Sequence, residues 1–392
     1  MDSKELVSKK RIDSLDVLRG LIIVLMAIDH VRDLWSVEAF MPEDIENTYP
    51  AYYFTRWITH FCAPNFVFLA GTSAFLFGTK KYTGQLSRFL FIRGVWLIFI
   101  EIFVVNLGIF FIPLWSNFGF VLQVIWAIGV SMIALSGLVW LSQRWILVIS
   151  LVMIFGHNLL NFVVPEDLGS FSSLWVLLHE KGLIPMNSDG SYIIWVAYPI
   201  IPWIGAMGLG YVFGNVMKWE SAKRISLLWK AGLGAIGFFV VLRYLNIYGD
   251  TNDWVVQKDL MFTVMDFINT QKYPPSLLFL CMTIGPAMLL LVLFEKWTKL
   301  NSFFIVFGKV PFFFYIVHFY FIHATSLFYY KIRYGEWFDL INTGPNGWPD
   351  YYSPSLILVY IVWALTILFF YFLCKWYSKY KFSHDHWWLK YI

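Results

Sequence analysis

The sequence predicts an all-α polytopic integral membrane protein, and three observations lead to this class. Of the 392 residues, 59% are hydrophobic and only 14% are charged, whereas soluble domains are about 25% charged. The 39 Phe, 22 Tyr and 20 Trp exclude a disordered chain, because disordered segments carry few aromatic residues. The apolar residues also gather into runs of roughly 20, the length with which an α-helix crosses a bilayer core.

About ten such runs predict about ten transmembrane helices. In chain order, the predicted spans are residues 17–35, 54–78, 86–112, 120–141, 145–164, 192–216, 225–247, 276–294, 303–328 and 355–375. No linker, low-complexity tract or shift in composition divides the chain. We therefore expect a single membrane domain over residues 1–392.

The Lys and Arg residues between the spans predict that both termini are cytoplasmic, because basic loops are retained on that side of the membrane. The segments predicted to lie outside hold only Lys181, Lys258, Lys272, Lys331 and Arg333. This placement accounts for the formal net charge of +4, which therefore does not indicate a nucleic-acid partner. We expect a multi-pass protein of a bacterial cytoplasmic membrane, in contact with the lipid bilayer. The sequence gives no indication of its oligomeric state.

Charged residues inside the first span are candidates for function, because an ionisable group in the membrane is costly to insert. Asp29, Arg32 and Asp33 share one helix face near the predicted outer end, and His30 points about 100° away from them. The alternative is a salt bridge that ends a helix among the lipid headgroups. Arg19 lies near the opposite, cytoplasmic end of this span.

The second and ninth spans carry further ionisable groups. Arg56 and His60 are one helical turn apart at the predicted depth of Asp29, so we expect ion pairs between the first two spans. In the ninth span, Tyr315 and His318 are one turn apart near the middle of the membrane. His318 must find a partner on another span or face a cavity; the alternative is a buried neutral histidine with one hydrogen bond.

Several common catalytic patterns are missing from the sequence. It contains no HExxH helix, no GxSxG elbow and no GxxxxGK phosphate loop. The three cysteines stand alone in apolar runs, so their spacing indicates neither a disulfide nor a metal-binding pair. We expect no metal centre and no tightly bound cofactor.

Five short blocks, spread from the first span to the ninth, together form a pattern. They are SLDVLRGL at 14–21, DH at 29–30, PNFVFLAGTS at 64–73, YPIIPWIG at 198–205 and PFFFYIVH at 311–318. In this order they resemble the heparan-α-glucosaminide N-acetyltransferase catalytic-domain family. The resemblance implies a transmembrane acyltransferase that takes an acyl group, expected to be acetyl, from cytoplasmic acyl-CoA. It also implies a sugar or glycan acceptor on the other side of the membrane.

Acyl transfer to an amine or hydroxyl needs a base, and a histidine suits that role near neutral pH. We expect His30 or His318 to be the base, with Asp29 or Asp33 as its orienting partner. Arg19 and Lys309, at span ends, are expected to bind the phosphates of acyl-CoA. The residues expected to position the acceptor or stabilise the oxyanion are Arg32, Asp33, Arg56, His60 and Tyr315.

A second function fits the same charged residues. Buried Asp and His side chains also relay protons in transporters, so a proton-coupled exporter of an envelope metabolite is the alternative. Paired broken helices in an inverted repeat would favour it, and the sequence contains no visible repeat of that kind.

Overall fold

The computed structural model of the chain describes residues 3–112, 119–296 and 301–390. Within these ranges, seven helical segments are long and apolar enough to cross a membrane: Pro50–Gly78, Thr83–Phe110, Gln143–Phe162, Ser221–Leu245, Leu277–Lys296, Pro311–Tyr334 and Leu356–Ser383. The predicted class, an all-α polytopic membrane protein, is confirmed. The count of about ten spans and the cytoplasmic termini stay predictions.

Sixteen α-helices are described in these ranges. They are α1 Ser3–Trp35, α2 Pro50–Thr59, α3 Cys62–Gly78, α4 Thr83–Ile100, α5 Asn106–Phe110, α6 Val124–Leu138, α7 Gln143–Gly156, α8 Ser172–Leu178, α9 Ile201–Val216, α10 Ser221–Leu245, α11 Leu260–Phe267, α12 Leu277–Lys296, α13 Asn301–Gly308, α14 Pro311–Tyr334, α15 Leu340–Thr343 and α16 Leu356–Ser383. A π-helical turn, Glu101–Val105, joins α4 to α5.

Two of the predicted spans are each divided into two helices. The second consists of α2 and α3, which are separated at residues 60–61, and the ninth consists of α13 and α14, which are separated at residues 309–310. Pro311 begins α14, a position where its missing N–H group costs no helical hydrogen bond. Hydropathy does not reveal such breaks, because the helices on both sides of each break are apolar.

A small sheet replaces the beginnings of the fourth and sixth predicted spans. Strand β1 is Gly119–Leu122, β2 is Gly182–Pro185 and β3 is Ile193–Val196. β3 lies in the middle, parallel to β1 and antiparallel to β2. The helical prediction is wrong at these residues, because short apolar runs of strands and buried helices look alike in sequence.

The backbones of α1 and α13 touch where two glycines face the neighbouring helix. A Cβ atom on Gly308 would lie 1.8 Å from the carbonyl oxygen of Asp16, and one on Gly20 would lie 1.9 Å from that of Phe304. No side chain larger than hydrogen fits at such separations, and small residues at helix contacts are common in membranes. This contact fixes α13 against the first helix.

Helices α1 and α14 pack side by side near their C-terminal ends. The indole nitrogen of Trp35 donates to the carbonyl oxygen of Ile322 at 3.0 Å, and the Tyr330 hydroxyl donates to the carbonyl oxygen of Trp35 at 2.7 Å. These two bonds fix the relative position of the helices. One turn earlier, the same packing brings together the histidines of the two helices.

Candidate active site

The rings of His30 on α1 and His318 on α14 lie against each other. Their centroids are 5.0 Å apart at an angle of 66°, and the Phe319 ring lies 4.3 Å from that of His30. The two histidines that the sequence singles out as candidate bases are therefore neighbours. Their catalytic role stays a prediction.

The hydrogen bond of His318 defines its tautomer. Nδ1 lies 3.0 Å from the carbonyl oxygen of Phe314, one turn earlier in α14. Because a carbonyl oxygen only accepts, Nδ1 carries the hydrogen in the neutral ring, and Nε2 keeps its lone pair. Nε2 is buried and has no hydrogen-bond partner among the described residues. His318 is therefore set up to accept a proton at Nε2.

Tyr315 lies beside His318, with ring centroids 5.7 Å apart. Its hydroxyl is also buried and unpartnered within the described part of the chain. A buried polar atom without a partner is costly, and in native proteins it requires an explanation such as a ligand or a catalytic role. Both unpartnered atoms belong to the PFFFYIVH block.

Ion pairs connect α1 to α2 and to the loop between them. The carboxylate of Asp29 accepts from Arg32 at 2.7 Å and also from Arg56 of α2. Arg32 also binds Asp33 at 2.7 Å, and Arg56 binds Glu43 at 2.7 Å. The predicted pairing of the first two spans is confirmed by these contacts.

One predicted contact is missing from this arrangement. Both carboxylate oxygens of Asp29 are occupied by Arg32 and Arg56, and no hydrogen bond joins Asp29 to His30 among the described residues. Asp29 therefore does not orient the His30 ring as a triad carboxylate would. Instead, Asp29 holds the guanidinium groups of Arg32 and Arg56 in place beside the two histidines.

Glu43 is a member of the site that the sequence does not single out. Its carboxylate accepts from Arg56, and it lies 3.3 Å from Nε2 of His60. Burial by itself would raise the pKa of Glu43, but the charge of Arg56 and the contact with His60 outweigh it and hold the pKa well below its usual value. The only signal in the sequence is that the first predicted outer loop is acidic and lacks Lys and Arg.

Tyr315 also lines a cavity of about 1130 Å³. Along α4 it extends from Gln85 to Leu97, which corresponds to about 18 Å at the rise of an α-helix. Most of its wall is apolar, and Tyr315 and Pro311 of α14 contribute to it. The basic residues in its lining are Arg19, Lys81, Arg88, Arg93 and Lys381.

The two residues predicted to bind the donor differ in position. Arg19 lines the cavity, where it donates to Asp16 at 2.6 Å, to Ser73 at 2.9 Å and to the carbonyl oxygen of Gly308 at 3.2 Å. It therefore also ties α1 to α3 and α13. Lys309 is exposed at the break between α13 and α14 and is not part of the cavity lining.

Comparison with known proteins identifies a family, and the match covers the part of the chain that holds the ion pairs. No curated protein matches the chain. The family model described as heparan-alpha-glucosaminide N-acetyltransferase, catalytic, matches residues 11–248, more than half of the chain. The match includes Asp29, His30, Arg56 and His60, and His318 lies beyond it. The chain therefore belongs to the heparan-alpha-glucosaminide N-acetyltransferase catalytic family and is a membrane protein of the acetyltransferase type.

Proposed function

We propose that this protein transfers an acetyl group from acetyl-CoA, bound from the cytoplasm, to an amine or hydroxyl of a sugar acceptor that reaches the site from outside. The observation that carries the proposal is the position of the His30–His318 pair. His318 lies against Tyr315, which lines the basic cavity, and His30 directly follows Asp29, which belongs to a separate network of ion pairs. A donor and an acceptor can thus approach the pair from different directions, within one membrane domain.

The cavity suits a coenzyme A thioester. Its five basic side chains provide positive charge for the phosphates of the carrier, and its apolar wall leads to Tyr315. Acetyl-CoA is the general donor of the family. We assign Arg19 to the donor site. Lys309 lies outside the cavity lining, so we assign it no more than a contact with the donor at the edge of the cavity.

The reaction is a nucleophilic acyl substitution. The acceptor nitrogen or oxygen attacks the thioester carbon, and the electrons of the carbonyl bond move onto its oxygen. Nε2 of His318 takes the proton of the acceptor, and the tetrahedral intermediate collapses with loss of the CoA thiolate, which receives that proton. His30 lies next to His318 and binds the acceptor, while Arg56, Arg32, Asp33 and His60 position it.

The proposal is tested with purified protein in lipid vesicles, supplied with acetyl-CoA and glucosamine. His318→Ala should lower the rate of thioester consumption by about 10²–10⁴, the usual contribution of a general base. His323→Ala is the matched control, because His323 is buried on the same helix but bonds to Asp339 at 3.1 Å. Wild-type rates for both His318→Ala and His30→Ala would refute the assignment.

One observation favours the alternative, a proton-coupled exporter. Two spans are interrupted, at residues 60–61 and 309–310, and interrupted helices often form the binding sites of transporters. Sealed vesicles distinguish the two functions. An acetyltransferase consumes thioester and acetylates its acceptor, whereas an exporter moves solute and leaves the thioester intact.

A further inference from the structure

Tyr315 is shared between the cavity and the histidine pair. It lines the cavity, and its ring lies 5.7 Å from that of His318, one helical turn later in α14. The structure describes all five residues that the sequence predicts to position the acceptor or stabilise the oxyanion, and of these Tyr315 alone lines the cavity. A thioester bound along the apolar wall is therefore within one side chain of His318 when it touches Tyr315.

Three other tyrosines show how this fold usually satisfies a phenol. The hydroxyls of Tyr53 and Tyr330 each donate to a backbone carbonyl oxygen at 2.7 Å, and that of Tyr320, also on α14, donates to the carbonyl oxygen of Val104 at 2.6 Å. Tyr315 is 5% exposed, and its hydroxyl has no hydrogen-bond partner among the described residues. Because a buried phenol usually finds a partner, this position suits a carbonyl oxygen that a ligand brings.

The unpartnered atoms of Tyr315 and His318 have complementary chemistry. Nε2 of His318 holds a lone pair and accepts, whereas the Tyr315 hydroxyl can donate. The nucleophile of the acceptor offers a hydrogen, and the thioester carbonyl offers an oxygen that only accepts. Attack therefore brings the proton to His318 and the carbonyl oxygen to Tyr315.

The Tyr315 ring is held in place before any substrate binds. The Phe319 ring packs edge-on against it, with centroids 5.4 Å apart at an angle of 80°. The hydrogen bond of Tyr320 ties this part of α14 to the π-helical turn Glu101–Val105. A donor that is fixed in advance stabilises developing charge most effectively, because nothing has to reorganise.

We propose that Tyr315 is a catalytic residue whose hydroxyl donates to the thioester carbonyl oxygen and stabilises the oxyanion that forms there. As the acceptor bonds to the carbonyl carbon, the electron pair of the carbonyl bond moves onto the oxygen and strengthens its hydrogen bond with Tyr315. When the carbon–sulfur bond breaks, that pair returns, and the electrons of the broken bond leave with the CoA thiolate, which takes the proton held by His318. The phenol keeps its own proton throughout. This inference rests on the proposed acetyl transfer.

The test uses Tyr315→Phe, which removes the hydroxyl and keeps the ring, in the vesicle assay with acetyl-CoA and glucosamine. Loss of one oxyanion donor typically lowers kcat by about 10²–10³, so we expect that loss, with both KM values within about threefold of wild type. The unfolding temperature should not fall, because the hydroxyl makes no hydrogen bond within the described part of the chain.

Tyr377→Phe is the matched control. Tyr377 is also 5% exposed, and its hydroxyl also lacks a hydrogen-bond partner in the described ranges. Its ring stacks on Phe313 of α14 at 4.0 Å, but it is not part of the cavity lining. Removing this hydroxyl should leave kcat at the wild-type value.

Three outcomes would overturn the inference. A rise in the KM of acetyl-CoA at unchanged kcat would make Tyr315 a ground-state binding residue for the donor. A fall in the unfolding temperature of Tyr315→Phe, with parallel loss of activity, would make the hydroxyl structural. An active Tyr315→Phe beside an inactive His318→Ala would refute this inference alone, whereas a wild-type protein that never consumes thioester would refute the proposed function with it.

Discussion

Replacing Asp29 by Asn should destabilise the protein by breaking the ion pairs between α1 and α2. Asp29 is 6% exposed, and its two oxygens neutralise Arg32 and Arg56. Removing one partner of a buried pair costs about 3–5 kcal/mol. Each arginine keeps a second carboxylate, Asp33 or Glu43, so we expect the lower end of this range, about 3 kcal/mol.

Denaturant unfolding in mixed micelles gives the free energy directly, and a double-mutant cycle isolates the pair. Asp29→Asn and Arg56→Gln are measured singly and together, and the coupling between them should be about 1–3 kcal/mol. Asp33→Asn is the matched control: its side chain is 41% exposed, so it should cost no more than about 1 kcal/mol. A coupling near zero would refute the reasoning that Asp29 holds Arg56 in place.

Three further predictions concern the loop, the helix contact and the cavity. Because the pKa of Glu43 lies below its usual value, its contribution to stability is complete above about pH 4.3, its unfolded pKa, and is lost as pH falls towards the lower, folded value; the difference in unfolding free energy between wild type and Glu43→Gln should therefore stay constant above about pH 4.3 and shrink below it. Gly308→Val should lower the unfolding temperature and the rate, because its Cβ would overlap a carbonyl oxygen of α1, whereas Gly137→Ala, with open space around it, should change neither. Arg88→Glu, at an exposed position of the cavity lining, should raise the KM of acetyl-CoA about fivefold at low salt and less at high salt, without changing the KM of glucosamine.

Hydropathy and charge predicted the parts of the structure that depend on simple periodicity. The membrane class follows from run length, and the pairing of Asp29 with Arg56 follows from helical spacing together with the order of the spans. The proximity of His30 and His318 was harder to predict from the sequence. It requires α1 and α14 to be neighbours, and only the family blocks suggested that they act together.

The parts that could not be predicted depend on loops and on helix ends. Glu43 lies in a segment that hydropathy assigns to the outside, and no periodic pattern says which loop folds back into the protein. The strands β1 and β3 are as apolar as the helices that follow them. The expectation that Asp29 orients His30 was wrong, because Arg32 and Arg56 together occupy both oxygens of its carboxylate.

The packing of rings around His318 has an electrical consequence. Phe314 and Phe319 lie 5.0 and 4.4 Å from its ring, and His30 lies against Phe319. This layer of packed rings excludes hydrated ions, because water does not fill a narrow apolar constriction. In the proposed reaction, an acetyl group and a proton pass between donor and acceptor at this layer of rings while hydrated ions are kept out, so the transfer would leave the ion gradients across the membrane intact.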